Sequence, residues 1–323
     1  MKRILIIQTA FIGDVILATP VIVALHEKYP TAEISMLVRR GNEILLSNNP
    51  MLHEVLIWDK GKSKYRNLLR LISRVRENKY DAIFNLHRFA TSGLITIFSG
   101  ARIKTGFRKN PFSFGFTRRM PHNIGDGTHE IERNLSLVED EPRLRRPQVF
   151  PSVADEQAIE QYLSAEYVCM APASVWFTKQ YHQQGWVDLC NAIAANRTIY
   201  LLGSPGDTEF CENIQRESTH SSIAVLAGKL TLLQSAALMK KAKMNYVNDS
   251  APLHLASAVN ARVRAIFCST IPDFGFGPVS SDARIIEKKE ELYCRPCGLH
   301  GYKACPEGHF RCAKEIKTSQ FFE

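Results

Sequence analysis

Asp14 is the first residue of this chain whose type and place suit chemistry. It ends the loop Gln8-Thr9-Ala10-Phe11-Ile12-Gly13-Asp14, which lies between the apolar run Ile4 to Ile7 and a periodic apolar stretch through Val15, Leu17, Val21 and Leu25. That order reads as a buried strand, a tight loop and a helix. Ligands of open α/β sheets bind beyond the carboxyl ends of strands, so a carboxylate here suits a general base. It equally suits the first turn of a helix, where the macrodipole favours negative charge by about 0.3–1 kcal/mol. The loop by itself leaves both readings open.

Two later loops could hold an anion. In Ala171-Pro172-Ala173-Ser174-Val175-Trp176-Phe177-Thr178-Lys179, a hydroxyl and an ammonium stand side by side after a strand, and lysine is a natural point-charge partner for phosphate. In Asn248-Asp249-Ser250-Ala251-Pro252-Leu253-His254, Asp249 or Ser250 suits a helix N-cap and Pro252 the first turn. Amides pointing out of such a helix end would receive a pyrophosphate. His254 falls about one turn in, as a ligand contact or as a core histidine. Neither a Gly-x-Gly-x-x-Gly fingerprint nor a Walker A loop is present, which argues against a dinucleotide dehydrogenase and a P-loop nucleotidase.

Cys294-x2-Cys297-x7-Cys305-x6-Cys312, with His300 and His309 nearby, offers the ligand types of a closed zinc site. Only the first pair has zinc-knuckle spacing, and reduced thiols under a loop or a redox-labile disulfide compete with it. The expectation is no metal.

Between Arg102 and Arg119 the chain mixes Arg102, Lys104, Arg108, Lys109, Arg118 and Arg119 with Phe107, Phe112, Phe114 and Phe116. Cations interleaved with aromatics suit single-stranded nucleic acid, or an amphiphile with an anionic head, or a solvated loop with its rings packed down.

The elements that must position these groups come as two alternations of strand and helix. Strands are expected at Ile4–Ile7, Glu33–Val38, Glu54–Trp58 and Asp81–Leu86, with helices after Gly13, over Tyr65–Glu77 and over Thr128–Glu139. Pro142, Pro147 and Pro151, with arginines between them, read as a linker. Beyond it, strands are expected at Tyr167–Met170, Thr198–Leu202, Ile223–Leu226, Asn245–Val247 and Val263–Phe267, separated by helices. The fold class is therefore α/β, two Rossmann-like doubly wound domains, 1–150 and 151–323, the second ending in the Cys-rich tail. At 323 residues the chain exceeds the size at which one core usually stops growing.

The 41 Lys and Arg against 32 Asp and Glu give a charge of +9, which favours a polyanionic partner. The N-terminal apolar run breaks at Gln8 and Asp14, which argues against a signal peptide, and no run approaches the roughly 20 apolar residues of a membrane span.

Taken in this order, QTAFIGDVILATP, THEIERNLSLV, PASVWFTKQY and VNDSAPLHLASA resemble the ADP-heptose:lipopolysaccharide heptosyltransferases of glycosyltransferase family 9 over most of the chain. The resemblance implies a GT-B architecture with domains facing across a cleft, the acceptor on the first and ADP-heptose on the second. It implies inverting transfer without a catalytic metal or other cofactor. Asp14 would be the base. Thr178 and Lys179 would lie near the phosphates and sugar, Lys179 also stabilising the departing ADP, and Asp249, Ser250, Ala251 and His254 would wrap the diphosphate. Ala227-Gly228-Lys229-Leu230 resembles the adenine-facing turn. Ala251 replaces the family glycine, and a positive φ there would strain it. Gly13, Arg102, Lys104, Arg108 and Lys109 are expected to meet a phosphorylated lipid A core acceptor. The expected location is cytoplasmic, peripheral to an anionic inner-membrane surface, with no nucleic-acid partner. The competing readings are a family member with another nucleotide sugar or acceptor, and a basic nucleic-acid-binding protein.

Overall fold

Ile4, Leu5, Ile6 and Ile7 are fully buried, as a strand covered on both faces by helices requires. The computed structural model that shows this describes residues 1–61 and 63–323, in two units, Met1–Phe150 and Pro151–Glu323.

The first unit runs β1 (Arg3–Gln8), α1 (Ile12–Lys28), β2 (Glu33–Arg39), β3 (Glu54–Trp58), α2 (Lys64–Glu77), β4 (Ala82–Asn85), α3 (Ala90–Phe98), β5 (Ile103–Phe107), β6 (Arg118–Met120) and α4 (Glu130–Leu135). Its parallel sheet has the order β3-β2-β1-β4-β5-β6. Strand order therefore reverses direction between β1 and β4, which opens a crevice at their carboxyl ends. Buried α1 contains Pro20, whose missing N–H would leave the Ile16 carbonyl without a partner. The Thr19 hydroxyl donates to that carbonyl at 2.8 Å and so keeps the helix intact.

The second unit runs α5 (Val153–Ala158), β7 (Tyr167–Ala171), α6 (Gln183–Ala192), β8 (Thr198–Leu201), α7 (Thr208–Glu217), β9 (Ile223–Val225), α8 (Leu232–Lys241), β10 (Asn245–Asn248), α9 (Ala251–Ala258), β11 (Val263–Phe267), β12 (Ala283–Glu287) and α10 (Arg311–Lys314). Its sheet order, β12-β11-β10-β7-β8-β9, repeats the topology, with the reversal between β7 and β10. Phe321 packs on Tyr181 and Tyr246 in this unit's core.

Two expectations need correction. The basic aromatic segment is not one loop, since it contains β5 and the edge strand β6, paired in parallel. Short strands broken by charges and by Gly106 lack a readable period, and that glycine is needed because a Cβ there would lie 2.6 Å from the Phe116 ring. Phe107 and Phe116 are buried and Phe114 is exposed. The helix expected over 128–139 stops at Leu135 and continues as turns. β12, two of whose five residues are exposed, offered only the short pair Ile285-Ile286 between charged residues and was not expected. Among the described residues no helix is long and apolar enough to cross a membrane.

Candidate active site

Asp14 and the loop after β4 occupy the first unit's strand-order reversal. Phe11 is the N-cap of α1, and its N–H donates to Asp14 Oδ2 at 3.1 Å. Phenylalanine has no side-chain oxygen, so only this half of a capping box exists. The Asp14 carboxyl is raised to about 6, first by burial and then by the nearby negative charge of Glu130. The Phe11 amide and Arg88 oppose the rise without cancelling it. Desolvation thus outweighs the helix terminus, and the carboxyl has the basicity that a proton acceptor needs near neutral pH.

Across the reversal, Thr9 Oγ1 is 3.0 Å from His87 Nδ1. Burial, with help from Lys60 and Arg88, pushes His87 down to about 4, so its ring is neutral. Asn110 clamps this loop by donating to the carbonyls of His87 and Phe89 at 3.0 and 3.1 Å. Behind it, His122 Nε2 lies 3.1 Å from both Glu130 oxygens, Arg133 Nε donates to Glu130 at 2.7 Å, and Arg88 Nη1 lies 3.3 Å from His122 Nδ1.

Of the basic residues expected with Asp14, Arg108 and Lys109 follow the carboxyl end of β5 and share its end of the sheet. Arg102 and Lys104 do not. They stand at the amino end of β5, where the Lys104 ammonium donates to the Ile97 carbonyl at 3.2 Å and Arg102 lies near Asp81. Parallel strands send those two residues to the opposite edge from Gly13 and Asp14.

In the second unit the expected anion loops meet at the reversal between β7 and β10. Lys179 Nζ lies 2.7 Å from Asp249 Oδ2, which also accepts from the Thr270 hydroxyl at 2.6 Å. Asn248 ties the loops together, accepting from the Tyr181 N–H at 2.9 Å and donating to the Pro172 carbonyl at 2.7 Å. Ser250 is the N-cap of α9 in extended backbone, and its side chain does not cap the helix, so the positive helix end stays open to an anion. Ala251 is the first residue of α9 and is not among the positive-φ residues, so the alanine is unstrained. His254 is buried in the first turns of that helix. Lys229 and Leu230 follow β9, two strand spacings from β7, or about 10 Å. Their turn depends on Gly228, at φ +74°, whose N–H donates to the Gly203 carbonyl at 2.9 Å.

The Cys-rich tail reaches this loop. Thr178 Oγ1 accepts from the Tyr302 N–H at 2.7 Å and from the Ser269 hydroxyl at 3.1 Å. All four tail cysteines are free thiols, and among the described residues no group of three or more His, Cys, Asp or Glu is arranged to hold a metal. Gly301, at φ +75°, approaches so closely that a Cβ would lie 2.8 Å from Thr178 Oγ1 and 3.0 Å from Lys179 Cγ. Gly301→Ala is therefore expected to raise the KM of an anionic substrate held by the Thr178 and Lys179 loop about tenfold, roughly 1.4 kcal/mol. Gly308→Ala, at φ +70° with nothing within 4 Å, shares the backbone strain without the contact and should leave that KM unchanged.

Residues 68–302 match the model of glycosyltransferase family 9 (heptosyltransferase). The chain is 30% identical over 281 residues to lipopolysaccharide heptosyltransferase 3 of Escherichia coli K12, covering 80% of each. The chain belongs to glycosyltransferase family 9. It is an enzyme, a glycosyltransferase of this heptosyltransferase family. The solved E. coli ADP-heptose lipopolysaccharide heptosyltransferase II matches it with a TM-score of 0.80 at 22% identity over 100% of both chains. E. coli heptosyltransferase WaaC with ADP matches at 0.71 and 19%, over 88% of this chain and 92% of that one. At such identities the likeness establishes the α/β GT-B fold. Within the family fold, Asn110, Thr270, His87, Arg88, His122 and Glu130 are site neighbours that sequence reading missed. His122 lies six residues before the segment THEIERNLSLV and Glu130 is its third residue, and the charged residues of that segment were the available signal.

Proposed function

We propose that this glycosyltransferase moves heptose from ADP-heptose to a lipopolysaccharide inner-core acceptor, inverting the anomeric centre with Asp14 as the base and using no catalytic metal. The observation that carries the reading is the Asp14 carboxyl, raised to about 6 at the strand-order reversal of the first unit. Oδ2 is committed to the Phe11 amide, so Oδ1 is the oxygen that takes the acceptor hydroxyl proton as that hydroxyl attacks the anomeric carbon. Lys179, oriented by Asp249, and the open end of α9 at Ser250 and Ala251 stabilise the charge gathering on the departing ADP. Thr178 and His254 hold this loop and helix in place, and the turn at Lys229 and Leu230 reaches the adenine. The acceptor role keeps Gly13, Arg108 and Lys109, while Arg102 and Lys104 drop out because they sit at the other sheet edge. Donor and acceptor classes are supported by the names of the E. coli relatives. The charge of +9 supports peripheral attraction to the anionic cytoplasmic face of the inner membrane.

A thermal-shift series over nucleotide sugars tests the donor. ADP-heptose at a hundred times its Kd should add about 2.7 kcal/mol of apparent stability, and UDP- and GDP-sugars none. Stabilisation by another nucleotide sugar alone would overturn the donor assignment.

A further inference from the structure

Two helices of the first unit begin on a residue ill suited to that place. An N-cap is best filled by Ser, Thr, Asp or Asn, whose side-chain oxygen accepts a free amide of the first turn. α1 and α3 start instead on Phe11 and Phe89, both in extended backbone and neither giving a side-chain cap. The same two residues stay 66% and 67% exposed, although the unit buries other phenylalanines, such as Phe84 and Phe107. Each helix thus forgoes a cap and holds an apolar ring in water, a placement that folding by itself does not favour.

Their position in the sheet supplies a reason. β1 and β4 are the strands between which the order reverses, and each phenylalanine stands where the chain leaves one of them for its helix. The two loops are tied together, since the Leu86 N–H donates to the Ile7 carbonyl at 3.0 Å and Thr9 Oγ1 lies 3.0 Å from His87 Nδ1. Phe11 and Phe89 follow two residues after Thr9 and His87. Asp14 is joined to the first of them through the Phe11 N–H, 3.1 Å from Oδ2. Phe89 is steadied by the neutral His87 ring, with centroids 4.9 Å apart, and by Asn110, which donates to its carbonyl at 3.1 Å. Both rings are therefore held at the rim of the crevice that contains the carboxyl.

We propose that Phe11 and Phe89 form an acceptor platform, stacking on the C–H face of the sugar ring whose hydroxyl Asp14 deprotonates. This inference rests on the proposed transfer to a core sugar with Asp14 as the base. A pyranose ring presents C–H groups on its faces and hydroxyls around its edge. A flat aromatic ring covers the first and leaves the second free to meet Asp14 and the half-buried Arg88, the usual division between apolar walls and a few polar groups. An acyl chain in the same place would strip water from the Asp14 carboxyl and return no hydrogen bond, whereas sugar hydroxyls return them.

The test is transfer kinetics from ADP-heptose to a deacylated inner-core acceptor, which has sugar rings and no acyl chain. Phe11→Leu and Phe89→Leu, apolar but without a flat ring, should each raise the acceptor KM about fivefold or more and leave the donor KM unchanged. Phe11→Tyr and Phe89→Tyr keep the ring and should stay within about twofold of wild type. Phe98→Ala, 51% exposed at the far end of α3, should change neither KM. Phe89→Ser supplies the missing cap, so it should raise the acceptor KM and also raise the melting temperature by about 2 °C. A fall in melting temperature would mean that the ring is kept for packing and would overturn the platform. Leucine variants with the wild-type acceptor KM, or tyrosine variants as impaired as leucine ones, would overturn it while leaving the proposed transfer intact. An effect seen with an acylated acceptor and absent with the deacylated one would assign the rings to lipid, which also overturns it. Wild type that transfers to neither acceptor would remove the proposed acceptor itself, and the platform with it.

Discussion

Asp14→Asn is expected to lower kcat by about 10²–10⁴-fold while the proposed donor, ADP-heptose, binds as in wild type. Asparagine keeps the shape and can still accept from the Phe11 amide, so the start of α1 should survive. What it loses is the ability to take a proton. A base at Asp14, as proposed, works as the ionised carboxylate, so the wild-type rate should rise through pH 6, and the residual rate of the variant should lack that limb. The same shift has a stability consequence of definite sign. A carboxyl raised from 3.8 to about 6 favours the folded state at low pH, and that contribution is lost as pH rises through 6. Asp14→Asn should therefore melt higher than wild type at pH 8 and show no such advantage at pH 4. Thermal melts at the two values, with a transfer assay, check both halves. A fully active variant would end the base assignment.

Lys179→Met should lower kcat by about 10²–10³-fold, because it removes the cation proposed to stabilise the leaving diphosphate. It also leaves the Asp249 carboxylate, 4% exposed, with the Thr270 hydroxyl as its one side-chain partner among the described residues. A buried ion pair broken on one side is costly, so the single variant should lose stability as well as rate. Lys179→Met with Asp249→Asn should recover most of the melting temperature and none of the rate. That split separates the electrostatic role of Lys179 from its structural one. A double variant that regains activity would show that the ammonium serves only to neutralise Asp249.

Much of this was legible residue by residue. The runs Ile4 to Ile7 and Val263 to Phe267 are buried parallel strands, and apolar continuity is the signal such strands carry. The placement of Asp14, Lys179 and Asp249 after strands followed from that alternation alone. The basic segment was harder. Arg102 and Arg108 look alike in sequence, yet a five-residue strand at 3.3 Å per residue sends them to opposite edges of the sheet.

The sequence by itself determined the alternation, the loops that bear the reactive groups, and the residue types within them, because strand and helix periods and turn chemistry are local. Only the tertiary structure decided how basic Asp14 is. Its carboxyl answers to burial and to Glu130, which lies 116 positions later in the chain and reaches Asp14 through the packing of α4 on α1. In the same way, Lys179 found Asp249 and Thr270 only when β7, β10 and β11 were laid side by side. Electrostatic interactions depend on distance in space and on exclusion of water, and neither can be read from distance along the chain.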